Sequence, residues 1–384
     1  MDVYEKALQK HEQWKGKIKT EVTSKVNNAK DLTYAYTPGV AEPCKKIHED
    51  KSLSYKYTIK QNTIAVISDG TAVLGLGDIG PEAAMPVMEG KCVLFKEFGG
   101  VNAFPIVLDT KDPDEIINTI KNISPGFGGI NLEDISSPRC VYIENKLKEM
   151  LDIPVFHDDQ HGTAIVTVAA LINALRIVNK KASDIKVVVS GAGAAGFSIT
   201  KLLIDFGVEN IIVTDSKGTI NKDHLEKDNP VKKEIAKITN KDNLKATLKE
   251  AIKDSDVFIG VSAPNILDEN DIKNMASDPI VFAMANPIPE IDYDLCKKAG
   301  ARIVATGRSD YPNQINNVLA FPGIFKGALE KHASAITDKM KMAAAKALAD
   351  MIPEDKLSED YIIVSAFEKN VAENVAEAVK KEVK

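Results

Sequence analysis

The sequence predicts an α/β chain of two domains, the second of them a doubly wound parallel sheet, and three observations carry that prediction. At 384 residues the chain exceeds what one hydrophobic core ordinarily serves. From Lys186 onward, apolar runs of strand length (IKVVVS, NIIVTDS, DVFIGVSA, IVFAMANP, ARIVATG) recur with helical stretches between them, the succession that builds a parallel sheet. Before Gly162 the runs are interleaved with carboxylate pairs and Gly-Pro turns, so the character of the chain changes near residue 160. The expected division is a substrate- and metal-binding α/β domain over 1–160 and a nucleotide-binding domain with C-terminal helices over 161–384.

In order, residues 1–30 read as a charged helix, followed by LTYAYTPGVAEPC, where Pro38 and Gly39 turn the chain behind Tyr36 and Pro43 halts any early continuation. NTIAVISDG and TAVLGLGDIG read as two β-runs of a hairpin joined through Asp69 and Gly70. PEAAMPVMEGKCVLFKEF reads as a helix with Pro81 near its start and Pro86 inside it. AFPIVLD is a strand, PDEIINTIKNI a helix, GGINLED a short strand ending in Glu133 and Asp134, and Tyr142 to Met150 a helix. IPVFHDDQHGT places a buried strand, Pro154 to Phe156, before Asp158 and Asp159, and a long apolar helix starts at Gly162-Thr163. After FPGIFKGAL the chain is expected to be helical to its end, closing with VAENVAEAVKKEV.

Composition narrows the function. With 49 basic and 55 acidic side chains the net charge is -6, which argues against a nucleic-acid footprint. Arg139, Arg176, Arg302 and Arg308 are the only arginines, so anions must be met by lysine, backbone N–H groups or metal. Cys44, Cys92, Cys140 and Cys296 form no C-x-x-C pair, which fits reduced thiols better than a disulfide or zinc framework. No apolar span approaches membrane length, and MDVYEKALQKHEQWKGK lacks the apolar core of a signal peptide. A cytoplasmic chain with neither membrane nor nucleic-acid partner is the expectation.

The chemistry lies in three places. Two pairs of carboxylates, Glu133-Asp134 and Asp158-Asp159, each close a strand-like run; ligands gather beyond the carboxyl ends of strands in open α/β sheets, and hard oxygen donors there suit Mg²⁺ or Mn²⁺. GAGAAG sets Gly191, Gly193 and Gly196 in the G-x-G-x-x-G spacing between a strand and the helix FSITKLLIDFG, with Ala194 and Ala195 completing the loop. Asp215 ends the next strand 19 positions after Gly196 (215 − 196), near the ~20 expected for the acid that bonds the ribose of NAD. Asp215 favours NAD, while Ser216 and Lys217 leave NADP open. Lys91 shares a helical face with Val87, Met88, Leu94 and Phe95, so it should point inward, where burial and a nearby metal lower its pKa and free the amine as a base. HDDQH also puts His157 and His161 four apart, as in zinc-binding helices; the strand before it and the helix start after it set that reading aside.

With Tyr36 in YTPGVAEPC, Lys91 in MEGKCVLFKEF, GINLEDIS, FHDDQHGTA, GAGAAG, ANPIPE and NQINNVLAFPG, the chain resembles the malic enzymes in their short prokaryotic form, from about Tyr34 to Gly323. The resemblance implies a Rossmann-type nucleotide domain and oxidative decarboxylation of L-malate to pyruvate and CO₂ with reduction of NAD(P)⁺ by a homodimer. It makes Tyr36 the proton donor, Lys91 the general base and Asp158 the group that orients it. Glu133, Asp134 and Asp159 become the metal ligands, Thr163 a cofactor contact, and Asn286 and Asn317 groups near nicotinamide and substrate. Longer members carry an arginine for the malate carboxylate in the segment matching DGTAVLGLGD; here Thr71, Ala72 and Val73 stand there, and no arginine precedes Arg139. Backbone N–H groups, Asn286, Asn317 or a lysine are left to do that work. The rivals are a metal-independent amino-acid or hydroxy-acid dehydrogenase, which leaves the carboxylates idle, and a nucleotide-binding protein without catalysis, which needs only GAGAAG.

Overall fold

The computed structural model describes residues 2–73, 75–226 and 229–383, with two parallel-stranded sheets. The first has the order β2-β1-β3-β4, from β1 (Thr63–Ser68), β2 (Asn102–Val107), β3 (Gly129–Leu132) and β4 (Val155–His157). The second has the order β10-β9-β8-β5-β6-β7, from β5 (Lys186–Ser190), β6 (Asn210–Asp215), β7 (Gly218–Thr219), β8 (Val257–Gly260), β9 (Ile280–Ala283) and β10 (Ile303–Thr306). Every pairing is parallel except β6 with β7. The four-stranded sheet reverses its strand order between β1 and β3, the six-stranded one between β5 and β8. Such switch points open a cleft at the carboxyl ends of the strands. Both clefts carry the residues the sequence marks out: Glu133 and Asp134 directly follow β3, Asp158 and Asp159 follow β4, and GAGAAG follows β5.

Local chemistry explains the helices that matter. The Lys91 helix, Pro81–Gly99, starts on Pro81, whose missing N–H costs nothing in a first turn, and stops at Gly100 in the left-handed region. Pro113–Ile123 is capped by Asp112, whose carboxylate accepts the N–H groups of Asp114 and Glu115. Asp158–Val178 is apolar on nearly every side because it lies inside the molecule, packed against the helices Ala194–Phe206 and Asp338–Asp350. It is the one described helix long and apolar enough to cross a membrane, and its burial accounts for that composition.

The C-terminal helices return to the first sheet. Phe321 and Phe325 of the helix Phe321–Glu330 meet Phe95 at ring-centroid distances of 4.6 and 5.4 Å, and Phe325 also meets Phe156 at 5.8 Å. These four rings are fully buried, worth about 1.5–3 kcal/mol each by transfer. A side chain reaching from residue 325 thus packs on the sheet formed by residues 63–157.

Several elements differ from expectation. TAVLGLGDIG forms no second hairpin strand: Gly70, Gly75, Gly77 and Gly80 all take positive φ and break it into a loop, and β1 pairs instead in parallel with β2 and β3; Leu74 within this run lies outside the described residues. The first helix ends at Trp14, where Lys15 and Gly16 turn left-handed, so residues 1–30 are not one helix. Pro43 does not stop a helix; it sits in the first turn of Ala41–Glu49, where a proline is tolerated. The helix expected from Tyr142 begins at Arg139. The C-terminal region is not continuous helix, since residues 351–370 hold a 3₁₀ turn, Glu354–Lys356, after Pro353, and an isolated bridge between Ser358 and Tyr361.

Gly323 and Gly327 let the last helix, Val371–Glu382, lie against Phe321–Glu330: a Cβ on Gly323 would stand 2.6 Å from both the Ala372 carbonyl oxygen and Val375 Cβ. Backbone cannot yield there as a side-chain tip can. Gly323→Ala is expected to cost about 1–3 kcal/mol of stability, read as a lowered melting temperature, whereas Gly126→Ala, with open space at its Cβ, should change little.

Candidate active site

The four carboxylates and the amine converge. Lys91, 7% exposed, places Nζ 2.6 Å from Asp158 Oδ2, 2.8 Å from Glu133 Oε1 and 4.3 Å from the centroid of the Phe321 ring. Burial alone drags its pKa down, but Asp158, Glu133 and Asp159 outweigh burial and raise it. Burial acts on Lys91 in the expected direction, but among the protein's own groups the crowd of carboxylates prevails and holds the ammonium protonated. Glu133 is pushed well above the ordinary range, first by burial and then by Asp159, Asp158 and Asp134, with Lys91 opposing. Asp158 is raised too, chiefly by burial.

Backbone geometry aims the other two acids. Asp134 has φ 53°, a left-handed conformation that aspartate tolerates better than most residues, and its N–H donates to Asp159 Oδ2 at 2.9 Å. Carboxylate oxygens of Glu133, Asp134 and Asp159 lie within 4.8 Å of one another, the only such potential metal-binding group among the described residues. Buried like charges at this spacing repel, and three hard oxygen donors with room for water or substrate fit Mg²⁺ or Mn²⁺. Asn131 Nδ2 holds Glu133 Oε2 at 2.9 Å from beneath.

The turn carrying the aspartates is helical earlier than expected. The helix starts at Asp158 with His157 as its cap residue, so Gly162 is not a helix start. Its small size has another cause: a Cβ on Gly162 would lie 1.9 Å from Asp158 Oδ1 and 3.0 Å from Asn317 Cβ. Gly162 makes the room in which Asp158 meets Lys91, and it sets Asn317 beside them. The argument against zinc from a missing helix fails accordingly. What separates the histidines is their partners, because His161 Nε2 faces Glu144 at 2.9 Å and Nδ1 faces Lys341 at 3.3 Å.

Glu144 is a supporting residue that the sequence did not reveal. Fully buried on the helix Arg139–Met150, it accepts from the His157 N–H at 3.1 Å and meets Lys148 at 2.8 Å, which braces both ends of HDDQH. Its one sequence signal was the Glu-Lys pair at i, i+4, a spacing usually found on solvated faces. Arg139 was likewise unassigned: it reaches into the loop matching DGTAVLGLGD, 2.8 Å from Asp69 Oδ2 and 2.9 Å from Thr71 Oγ1. A guanidinium therefore stands against that loop, though it comes from 68 positions later in the chain.

Tyr36 is not brought in. It is 67% exposed, and no described hydrogen bond or ring contact joins its phenol to the Lys91 cluster. Thr163 is half-buried in the helix, its carbonyl accepting from Thr167 Oγ1 at 2.7 Å. Asn286 lies where loops of the two sheets meet: its carbonyl is 3.1 Å from where a Cβ on Gly75 would sit, its amide nitrogen 2.6 Å from one on Gly307.

In the second cleft, a Cβ on Gly196 would lie 1.8 Å from the Gly191 carbonyl oxygen, the close helix-to-strand approach the motif requires, and Gly193 faces open space. Ala194 and Ala195 begin the helix Ala194–Phe206, whose N-terminus points its free N–H groups into the cleft. Asp215 ends β6 with Oδ1 on the Lys217 N–H at 2.8 Å and Oδ2 on Lys232 Nζ at 2.5 Å. Burial opposes ionisation of Asp215, but Lys232 and the Lys217 N–H win and lower its pKa. Lys232 stands 17 residues away in a helix of ordinary appearance, so nothing in the sequence singled it out.

Comparison with known proteins bears on both clefts. Residues 15–113 and 110–148 match the family model of the malic enzyme N-terminal domain, and 160–384 that of the malic enzyme NAD-binding domain. The chain is 62% identical to an NAD-dependent malic enzyme of Geobacillus stearothermophilus, over 95% of this chain and 76% of that one. It is 57% identical to a bifunctional malic/malolactic enzyme of Bacillus subtilis, over 99% and 93%. The crystal structure of an NAD-dependent malic enzyme from Thermotoga maritima superposes with a TM-score of 0.94 at 50% identity, covering 97% of this chain and 98% of that one.

Two outcomes follow from the site. Asp159→Asn removes one of three converging oxygens, so Mn²⁺ affinity measured by electron paramagnetic resonance should fall by at least the roughly 10–100-fold that loss of even a supporting group costs; unchanged affinity would place the ion elsewhere. Acid should unfold the chain through the Glu144 brace. His161 is lowered to about 3 by burial, and Glu144 is held well below its ordinary range because His161 and Lys148 overcome its burial. For both, the unfolded chain binds more protons, so stability is present above the unfolded values, about 6.5 for histidine and about 4.3 for glutamate, and is lost as pH falls through them toward the folded ones. Thermal denaturation against pH should show this loss, and His161→Gln should flatten its upper part.

Proposed function

The chain belongs to the malic enzyme family, and from that premise we propose how its residues convert L-malate and NAD(P)⁺ to pyruvate, CO₂ and NAD(P)H. The observation that carries the assignment of roles is the buried Lys91 ammonium between Asp158 and Glu133, beside the triad of oxygens. Membership sets aside the metal-independent dehydrogenase and the non-catalytic binder. Glu133, Asp134 and Asp159 would hold Mg²⁺ or Mn²⁺, which supplies Lewis-acid polarisation of the C2 oxygen and offsets the charge that keeps Lys91 protonated, while the dinucleotide accepts hydride.

Lys91 Nζ accepts the proton of the malate C2 hydroxyl as hydride leaves C2. Asp158 fixes the amine by its 2.6 Å contact, and the Phe321 ring keeps water from its other side. The C3–C4 bond then breaks, CO₂ departs with the C4 carboxylate, and Tyr36 protonates C3 of the enol left behind. Asn317, beside Asp158 over Gly162, and Asn286 on the second sheet's loop would orient the substrate and the nicotinamide carboxamide. Thr163, one turn along the same helix, lines the approach between the sheets. The proposed boundary between the substrate domain and the nucleotide domain stays near residue 160, at the head of the shared helix.

NAD is the proposed first cofactor, since Asp215 presents a carboxylate to the ribose. Its pairing with Lys232 tempers the repulsion a 2′-phosphate would meet, which supports use of NADP as well. The four cysteines are free thiols, in keeping with a cytoplasmic location.

A homodimer supplies what one chain lacks. The helices Val3–Trp14, Ala29–Ala35 and Ala41–Glu49 bury no side chain, and Val3, Tyr4, Leu8, Trp14, Leu32, Tyr34 and Tyr36 are all exposed. So much apolar surface on one arm marks an interface. A second copy docking there can present its own Tyr36 to the Lys91 site.

Nicotinamide absorbance with L-malate, each cofactor and each metal, with and without chelator, tests the reaction. Lys91→Ala should abolish malate oxidation, and Tyr36→Phe should suppress pyruvate formation while some reduction of added oxaloacetate survives. Mixed dimers of the two variants then separate the arrangements: shared sites restore one working site per mixed dimer, about half of wild-type turnover, and no recovery would show that Tyr36 acts within its own chain.

A further inference from the structure

One buried carboxylate outside the Lys91 cluster has a different role. Glu290 closes the ANPIPE loop after β9 and is 0% exposed, yet among the described residues no lysine, arginine or histidine forms an ion pair with it. Its two oxygens are taken instead by backbone. Oε1 accepts from the Ser262 N–H at 3.0 Å and Oε2 from the Ala285 N–H at 3.0 Å. Burial raises its carboxyl pKa, and these N–H groups pull it back down. Gly260, the last residue of β8, is small for the same reason: a Cβ there would lie 2.3 Å from Glu290 Cδ and 2.5 Å from Oε1.

The two donors belong to different loops, and each loop leads to the dinucleotide cleft. Ser262 Oγ lies 2.9 Å from Ser190 Oγ at the end of β5. The Val261 carbonyl oxygen lies 2.7 Å from where a Cβ on Gly191 would stand, so the β8 loop forms the seat of GAGAAG. On the other side, Ala285 immediately precedes Asn286. One carboxylate therefore ties the loop under the pyrophosphate turn to the loop bearing Asn286, across the neighbouring strands β8 and β9, next to the switch point between β5 and β8.

Two N–H groups that converge from separate loops need two acceptors at the spacing of one carboxylate. A glutamine offers one acceptor and one donor, which leaves an N–H facing an N–H in a buried space. We propose that Glu290 is a positioning residue for the dinucleotide, setting through Ser262 and Ala285 the gap between the GAGAAG seat and Asn286 in which the pyrophosphate-to-nicotinamide half of NAD(P) lies. This rests on the reading of that cleft as the dinucleotide site.

The test uses the full chain with Glu290→Gln and, independently, Gly260→Ala, which pushes the same carboxylate from the opposite side. NADH affinity by fluorescence, KM for NAD⁺, Mn²⁺ affinity and melting temperature are measured for each. Both variants should bind NADH and NAD⁺ roughly 10–100-fold more weakly, with Mn²⁺ affinity within about twofold of wild type because Glu133, Asp134 and Asp159 belong to the other sheet. NADH affinity equal to wild type in both variants would overturn the proposal. So would a loss of NADH affinity accompanied by an equal loss of Mn²⁺ affinity and a collapse in melting temperature, since that describes general damage to the fold. A wild-type chain that binds no NADH would instead remove the underlying reading of the cleft.

Discussion

The contact between the Lys91 ammonium and the carboxylates of Asp158 and Glu133 is the constraint around which the molecule is arranged. Removing such charges from water is expensive, and the interior returns that cost only when geometry is tight and remaining lone pairs are met. Here Lys91 is clamped at 2.6 and 2.8 Å, Asn131 supports Glu133, and Gly162 clears the space that Asp158 occupies. Break any one support and an ion is left buried without its counterpart. That asymmetry explains why so many unremarkable residues, a glycine and an asparagine among them, hold fixed positions around one amine.

The two sheets make this constraint useful. Each reverses its strand order once, and each reversal opens at the carboxyl ends of its strands. The long apolar helix Asp158–Val178 begins in one cleft and packs against the helix that leaves GAGAAG in the other, so the acid cluster and the nucleotide seat share a rigid rod. Asn286, close to both Gly75 and Gly307, marks where the loops of the two sheets touch. Chemistry needing a cation, a base and a hydride acceptor together gains from that fixed separation.

What the sequence disclosed and what it hid divide along physical lines. Strands and helices with clear period and punctuation were legible, among them β5, β6 and the helix Pro81–Gly99, because local apolar spacing and Gly or Pro stops decide them. The carboxylates were legible because they close strands, and their convergence is found among the described residues. TAVLGLGDIG misled because alternating apolar residues signal a strand while its glycines, at positive φ, forbid one. The carboxylates' hold on Lys91 was hidden for a related reason: burial can be inferred from neighbours on a helix, but the balance between burial and three carboxylates depends on distances no sequence prints. Glu144, Lys232 and Glu290 were invisible as supports because each acts across the fold, on partners 13 to 28 residues away, through contacts that resemble ordinary surface charge in one dimension.

Phe321, which roofs Lys91 and packs on Phe95, and Phe325, which packs on Phe95 and Phe156, come from a helix far along the chain from the sheet they cover. During synthesis, the first sheet can pair its strands long before that roof exists, so the nascent polypeptide carries an open, wet amine through most of its translation. Shielding arrives only once the second sheet has been threaded through and the chain doubles back. A ribosome stalled between the two halves would thus release a molecule with its acids and its lysine in sequence, but with no dry chamber in which to use them.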